Sequence, residues 1–259
     1  PDIVINLHPN ERTSYLAWKI HGKVTTGMSH FLFRPFMTKY TRLDRKTRHA
    51  ADMYINVLEQ LGVTDVANHG LHIETSKEWN DEVFRFYKSQ GVMPRDKIIG
   101  FNIGSAVPEK RWPAERFADV ADYFGNKGYK TVFFGGPMDL DMVKPVVEQM
   151  KTSPIVATGA FKLGPLAAAM KWCDLLITND SGPMHVAISQ GVPIVALYGP
   201  SNPFFYGPYQ AKSIVLESMD HYEIGKSMKQ VIKEGKYKGI SVITEEQVIK
   251  AAETLLQES

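Results

Sequence analysis

Hydrophobic residues change their spacing along this chain near residue 97. From Lys97 onward, short continuous apolar runs alternate with segments whose apolar residues recur at helical spacing. The runs at 98–103, 131–134, 155–157, 174–178, 194–198 and 214–216 read as strands, and the segments at 113–126, 139–150, 164–171 and 183–190 read as helices between them. Strands apolar on both faces, separated by helices, predict an α/β fold with a parallel sheet covered on both sides. Thr244 and Gln247 form a capping box that opens a final helix ending near 257.

The first part of the chain follows a sparser pattern: strand 3–7, helix 12–21, strand 23–27, a basic loop, helix 49–61 and strand 71–73. A second capping box, Thr75 with Glu78, opens a helix to 90, which the run from Gln90 through Gly91 to Pro94 ends. So few strands struggle to cover a sheet and bury an adequate core. There is no initiator Met and residue 3 already lies in a strand, so an N-terminal piece is expected to be missing. The expected organisation is a partial N-terminal domain over 1–75, a second domain over 76–240 and a terminal helical segment over 241–259.

Composition narrows the function. The 259 residues are 44% hydrophobic, enough for real cores, and the formal charge of +2 argues against a dedicated nucleic-acid binder. One cysteine, Cys173, excludes internal disulfides and a Cys-based zinc site, fits a reducing compartment, and reads as a small core residue. There is no signal-peptide pattern and no apolar run of the roughly 18 residues that a membrane span needs. A cytoplasmic protein is expected.

Ligands of open α/β sheets bind beyond the carboxyl ends of the strands, and four polar clusters fall there. After strand 98–103 come Gly104 and Ser105, which offer close backbone approach and a hydroxyl, and then Lys110 ahead of Trp112 and Pro113. Lys110 is either a charge that neutralises a departing diphosphate or a solvated loop lysine. Trp112 reads as a packing residue. After strand 131–134, Gly135 and Gly136 precede Asp139, which either accepts from ribose hydroxyls or caps the next helix. After strand 174–178 come Asn179, Asp180, Ser181, Gly182 and Pro183, with His185 on the first helical turn. Pro suits a first helical position, and the free amides of a helix start suit phosphate. In this cluster Asp180 is a candidate helix cap, and His185 is either a phosphate donor or a structural residue. The fourth cluster, Tyr198 to Tyr209, is rigid and aromatic and reads as a cleft wall or a surface loop. The chain has no P-loop, no zinc-protease motif, no nucleophile elbow, no dinucleotide-binding glycine fingerprint and no metal-holding Asp-x-Asp pair.

In order and spacing, these clusters resemble glycosyltransferase family 9, the lipopolysaccharide heptosyltransferases. The resemblance rests on Gly104-Ser105 leading to Lys110-Arg111-Trp112-Pro113, on Asp180-Ser181-Gly182 with His185, and on Ala196-Leu197-Tyr198-Gly199-Pro200. It extends to His49–Tyr54, Leu61-Gly62 and Arg34-Pro35. It implies a GT-B fold with two Rossmann-like domains, the second binding ADP-heptose and the first the growing lipopolysaccharide core, with the last helix crossing back to the first domain. It implies inverting, metal-independent transfer without a cofactor. By matching position, Ser105 and Lys110 would contact phosphate, with Lys110 supporting the departing ADP, and Asp139 would sit near the ribose. Asp180, Ser181, Gly182 and His185 would hold diphosphate and sugar, and Phe161 would sit near the adenine. The family's general base is an acidic residue on a glycine-rich loop after the first strand of the N-terminal domain, a segment outside this chain, and Glu11 is the nearest carboxylate within it. Many members carry cysteines over 217–240, this chain has none, and no site is assigned there.

On the acceptor side, Arg34, Lys39, Arg42, Arg45, Lys46 and Arg48 cluster against a single Asp44, and Arg12 follows the first strand. Arg12 and Arg34 are the candidate acceptor contacts. The cluster reads as a surface for a phosphate-rich, lipid-linked acceptor at the inner membrane, or as a solvated loop. Two other functions stay open: a GT-B transferase using a UDP- or GDP-linked sugar, and a non-catalytic nucleotide-sugar binding protein.

Overall fold

The computed structural model describes residues 1–8, 10–28, 31–40, 48–219, 228–235 and 237–258. The chain divides into two compact units, Pro1–His69 with Phe204–Tyr206, and Gly70–Pro203 with Gly207–Ser259.

In the first unit, β1 (Ile3–Asn6) pairs in parallel with β2 (Val24–Gly27) across α1 (Glu11–Lys19). Asn10 starts α1 by accepting from the Thr13 amide at 2.8 Å, an N-cap the sequence reading missed. A 3₁₀ turn at Phe31–Phe36 follows, then α2 (Ala50–Glu59). Met28, Ala50, Met53, Val57 and Phe205 form a small core.

The second unit begins with α3 (Lys77–Ser89), β3 (Ile98–Asn102), α4 (Ala114–Asn126), β4 (Lys130–Phe134), α5 (Leu140–Gln149) and β5 (Ile155–Val156). It continues with α6 (Leu163–Met170), β6 (Leu175–Asn179), α7 (Gly182–Ile188), β7 (Ile194–Tyr198), the single turn α8 (Pro203–Tyr206), whose last three residues group with the first unit, and β8 (Ser213–Glu217). After α9 (Met228–Lys233) and a 3₁₀ turn at Ile240–Val242 comes α10 (Glu245–Gln257). All six strands are parallel, in the order β5-β4-β3-β6-β7-β8. The central strands β3, β6 and β7 are buried throughout, as their uninterrupted apolar runs require. One face packs against α3, α6 and α7, the other against α4, α5 and α10. The chain winds outward from β3 to β5, then returns to β6 and winds the other way. This leaves a topological switch point between β3 and β6, where the loops leaving the two strands diverge.

Three expectations need correction. Residues 71–73 form no strand; Ile73 packs on the core and its carbonyl accepts from Gln190 Nε2 at 2.8 Å, so this segment is a strap tied by a side chain. The cap of α3 is Ser76, not Thr75, with Ser76 Oγ accepting from the Trp79 amide. Gly182, not Pro183, is the first residue of α7. The terminal helix α10 buries Val248, Ala251, Ala252 and Leu255 in the core of the second unit. The Thr244–Gln247 capping box forms as expected, and Cys173 is buried, with its thiol pushed up by that burial. Among the described residues, no helix is long and apolar enough to cross a membrane.

Candidate functional site

The loops after β3, β4, β6 and β7 bring most of the candidate residues of the second unit together. The centre is Asp180, directly after β6 and 6% exposed. Lys110 Nζ donates to its Oδ2 at 2.5 Å, and Ser201 Oγ, from the turn after β7, donates to the same oxygen at 2.5 Å. Asp180 is therefore not the cap of α7. Its carboxylate is committed to two donors from other loops.

Ser181 is the N-cap residue of α7, but its side chain makes no capping bond. Its hydroxyl instead accepts from Asn102 Nδ2 at 2.7 Å and lies 3.3 Å from the Asn179 carbonyl. Asn102 ends β3 with no exposed surface and also donates to Thr178 Oγ1 at 3.0 Å, bridging the switch point from strand to strand. Gly182 is exposed, and a Cβ built on it would meet nothing within 4 Å. Gly182 thus leaves the first residue of α7 without a side chain, with open space where one would point. His185 is half-buried on that first turn.

Lys110 sits in a braced loop. Residues Pro108–Lys110 form a 3₁₀ turn. Arg111 Nε donates to the Ser105 carbonyl at 2.8 Å, the Trp112 amide to Asn179 Oδ1 at 3.1 Å, and the Trp112 indole to the Ile243 carbonyl at 2.9 Å. Trp112 is buried against Phe117, the packing residue its position predicts. Ser105 lies within 3.5 Å of the Asp180 carbonyl. Gly104 has no room for a side chain, because a Cβ there would fall 2.4 Å from Asp139 Oδ1. Asp139 Oδ2 accepts from the Gly136 amide at 2.8 Å, and α5 starts without a side-chain cap from it. Its carboxylate thus ties the turn after β4 and lies against the loop after β3.

Phe161 packs edge-on against Phe86, with ring centroids 4.9 Å apart, on the α3–α6 side of the core. In the first unit, Arg12 and Glu11 are exposed on the first turn of α1. Arg34 holds its guanidinium carbon 5.0 Å over the Tyr40 ring, and its buried Nε finds no hydrogen-bond partner among the described residues. Lys39 donates to the Gln60 carbonyl at 2.8 Å and Arg48 to Asn56, while Arg42, Asp44, Arg45 and Lys46 lie outside the described residues.

Three members of the site escaped the sequence reading. Asn102 was absorbed into its strand, although a polar residue at the last position of a buried strand was the available signal. Ser201 lay in a loop read as a wall. Tyr237, whose hydroxyl donates to the Glu109 carbonyl at 2.6 Å, lay in the stretch left without a site. Burial is the main reason its phenol titrates above the usual tyrosine value. Among the described residues, no group of three His, Cys, Asp or Glu side chains is arranged to hold a metal.

The sequence profile of glycosyltransferase family 9 (heptosyltransferase) matches residues 2–238. A glycosyl transferase family 9 crystal structure from Veillonella parvula is 81% identical, with a TM-score of 0.94, over 100% of this chain and 74% of that one. Lipopolysaccharide heptosyltransferase 2 of Salmonella typhimurium is 32% identical over 166 residues, which are 62% of this chain and 47% of the relative, so the match spans about half that enzyme's length. The Escherichia coli ADP-heptose heptosyltransferase II structure shares the fold, with a TM-score of 0.79 at 23% identity over 99% of this chain and 77% of that one.

Proposed function

This chain belongs to glycosyltransferase family 9, the heptosyltransferases, and on that premise we propose that it transfers heptose from ADP-heptose to the inner core of lipopolysaccharide, with inversion and without a metal. The observation that carries this reading is the meeting of Lys110, Asp180 and Ser201 beside the uncapped start of α7, at the switch point between β3 and β6. Such a place offers a diphosphate one fixed cation, backbone amides and hydroxyls together.

In this mechanism the glycosidic bond to the diphosphate breaks as the acceptor oxygen attacks the opposite face of the anomeric carbon. Negative charge then grows on the departing ADP. Lys110 is 19% exposed and already oriented, so it stabilises that charge without having to be ordered first. When the diphosphate arrives, it competes with Asp180 for the ammonium, and Ser201 keeps a donor on the displaced carboxylate. Ser105, Ser181 and the Gly182 backbone hold phosphate oxygens, His185 donates to phosphate or sugar, and Gly104 leaves room for the Asp139 carboxylate beside the loop. Asp139 meets the ribose and Phe161 borders the adenine.

Arg12 and Arg34 are proposed acceptor contacts. A phosphate-rich, lipid-linked acceptor brings the enzyme to the cytoplasmic face of the inner membrane. No carboxylate among the described residues is assigned as the base that deprotonates the acceptor.

The test is ADP release from ADP-heptose in the presence of heptose-deficient lipopolysaccharide core, with UDP- and GDP-linked sugars in parallel. The proposal expects turnover with the ADP sugar and unchanged rates in EDTA. Turnover only with another nucleotide sugar would move the donor, and nucleotide binding without turnover on any acceptor would favour a non-catalytic binding protein.

A further inference from the structure

The segment before α10 braces the loop that carries Lys110. Four hydrogen bonds join the two. Tyr237 Oη donates to the Glu109 carbonyl at 2.6 Å, Trp112 Nε1 to the Ile243 carbonyl at 2.9 Å, and Arg116 to the carbonyls of Ser241 and Ile243 at 2.7 Å each. The last three reach the loop's far end and the first turn of α4. Tyr237 alone among them holds the 3₁₀ turn itself, one residue before Lys110.

The contact is built into a third loop as well. A Cβ on Gly199, after β7, would fall 2.8 Å from both the Glu109 carbonyl oxygen and the Tyr237 hydroxyl. Glycine at 199 thus leaves room for the Tyr237–Glu109 bond, two residues before Ser201, the second donor on Asp180. Three loops converge on one carbonyl next to the lysine; the half-buried Tyr237 packs its ring on the core, and its hydroxyl also faces the Ser218 side chain and the Ile240 backbone.

We propose that Tyr237 is a positioning residue of the diphosphate site, fixing the Glu109 peptide so that Lys110 projects toward the start of α7. It acts through Lys110 and touches no substrate. This rests on the functional reading above, in which Lys110 meets the diphosphate. An unbraced turn lets the lysine sample directions that miss the ligand, and the lost orientation appears as weaker ADP binding.

The test is a double-mutant cycle read by calorimetric ADP binding and by Tm. Tyr237→Phe removes only the hydroxyl and is expected to weaken ADP binding roughly fivefold, the effect of one lost hydrogen bond. In a Lys110→Ala background the same change is expected to have no further effect, because there is no ammonium left to aim. Gly199→Ala attacks the same contact from the opposite side and is expected to show the same dependence on Lys110, which covers the case in which Tyr237→Phe unfolds the protein.

Unchanged affinity in Tyr237→Phe, or equal weakening with and without Lys110, would overturn the inference. Either result would leave the wild-type site intact as long as Lys110→Ala itself weakens binding. If the wild type binds no ADP, or Lys110→Ala changes nothing, the functional reading fails and this inference falls with it.

Discussion

Two lysine–carboxylate pairs in this protein have the same length and opposite characters. Lys110–Asp180 and Lys127–Glu253 both close to 2.5 Å. In the first pair the side chains are 19% and 7% exposed, and in the second 46% and 35%. Lys127 and Glu253 tie α4 to α10 at the surface, with Tyr123 as a second donor on the carboxylate. Hydrogen bonding to Glu253 holds the lysine above its usual range, and the bond from Lys127 holds the carboxyl below its own. Water and salt screen such a pair, and it contributes little. Burying the other pair costs desolvation that its attraction only partly returns, so stability is a poor reason for its presence. A buried, preoriented lysine beside open amides has a use in binding an anion. Equal distance therefore says little about role, and the surroundings decide it.

The largest effect that separates the pairs is expected from Asp180→Ala. It leaves the Lys110 ammonium without its counter-ion and should cost about 3 kcal/mol in urea denaturation. A cost as small as that of a surface pair would mean the site is solvated. Lys110→Ala comes next and is expected to lower turnover about a hundredfold, the scale of losing one charge-stabilising donor, and, because it leaves the buried Asp180 carboxylate without its cation, to lower Tm as well.

Asp122 offers an intermediate case. Its carboxylate accepts from the Lys151 and Thr152 amides at 2.8 Å and from the Thr152 hydroxyl at 2.6 Å. Its partial burial works to raise its pKa, but the hydrogen bonds from Thr152 and Lys151 together outweigh that and hold it below its usual value. Its contribution is therefore complete above the unfolded carboxylate pKa and is lost as pH falls through the lower folded value. Asp122→Ala should cost about 1.5 kcal/mol near neutral pH, with the gap to wild type closing in strong acid. Glu253→Gln is expected to move Tm by less than about 2 °C, and less still in high salt. By the same sign its small effect disappears as pH falls through the lowered pKa of Glu253. A large, salt-insensitive loss there would break the distinction between the pairs.

The second unit was readable from sequence because its strands are buried on both faces and its helices are amphipathic, so spacing alone separates them. The strand-end loops could be found by the same logic: Gly104, Ser105, Lys110, Asp139, Asp180 and Ser181 lie on them, and Gly182 and His185 on the helical turn that follows one of them. Their partners were harder to read. Whether Asp180 caps α7 or binds Lys110 is decided by a lysine seventy positions away in sequence, and local propensity carries no trace of it. Ser201 and Tyr237 act through single contacts to distant loops, which impose no periodicity. Residues 71–73 were misread because three apolar-flanked positions resemble a strand, while the tie to Gln190 that replaces a ladder is tertiary. Phe161 was assigned by position in the family, and its ring partner Phe86 lies on a helix whose packing the sequence does not specify.

The measurement that bears most directly on the strand-end cluster as a diphosphate site is calorimetric binding of ADP, UDP and GDP to the wild type and to Lys110→Ala, with and without magnesium. The expected result is preferential ADP binding that ignores magnesium and weakens at least tenfold without the lysine, the scale of one charge-assisted hydrogen bond. Equal affinity in the two proteins, or no binding of any diphosphate, would contradict it.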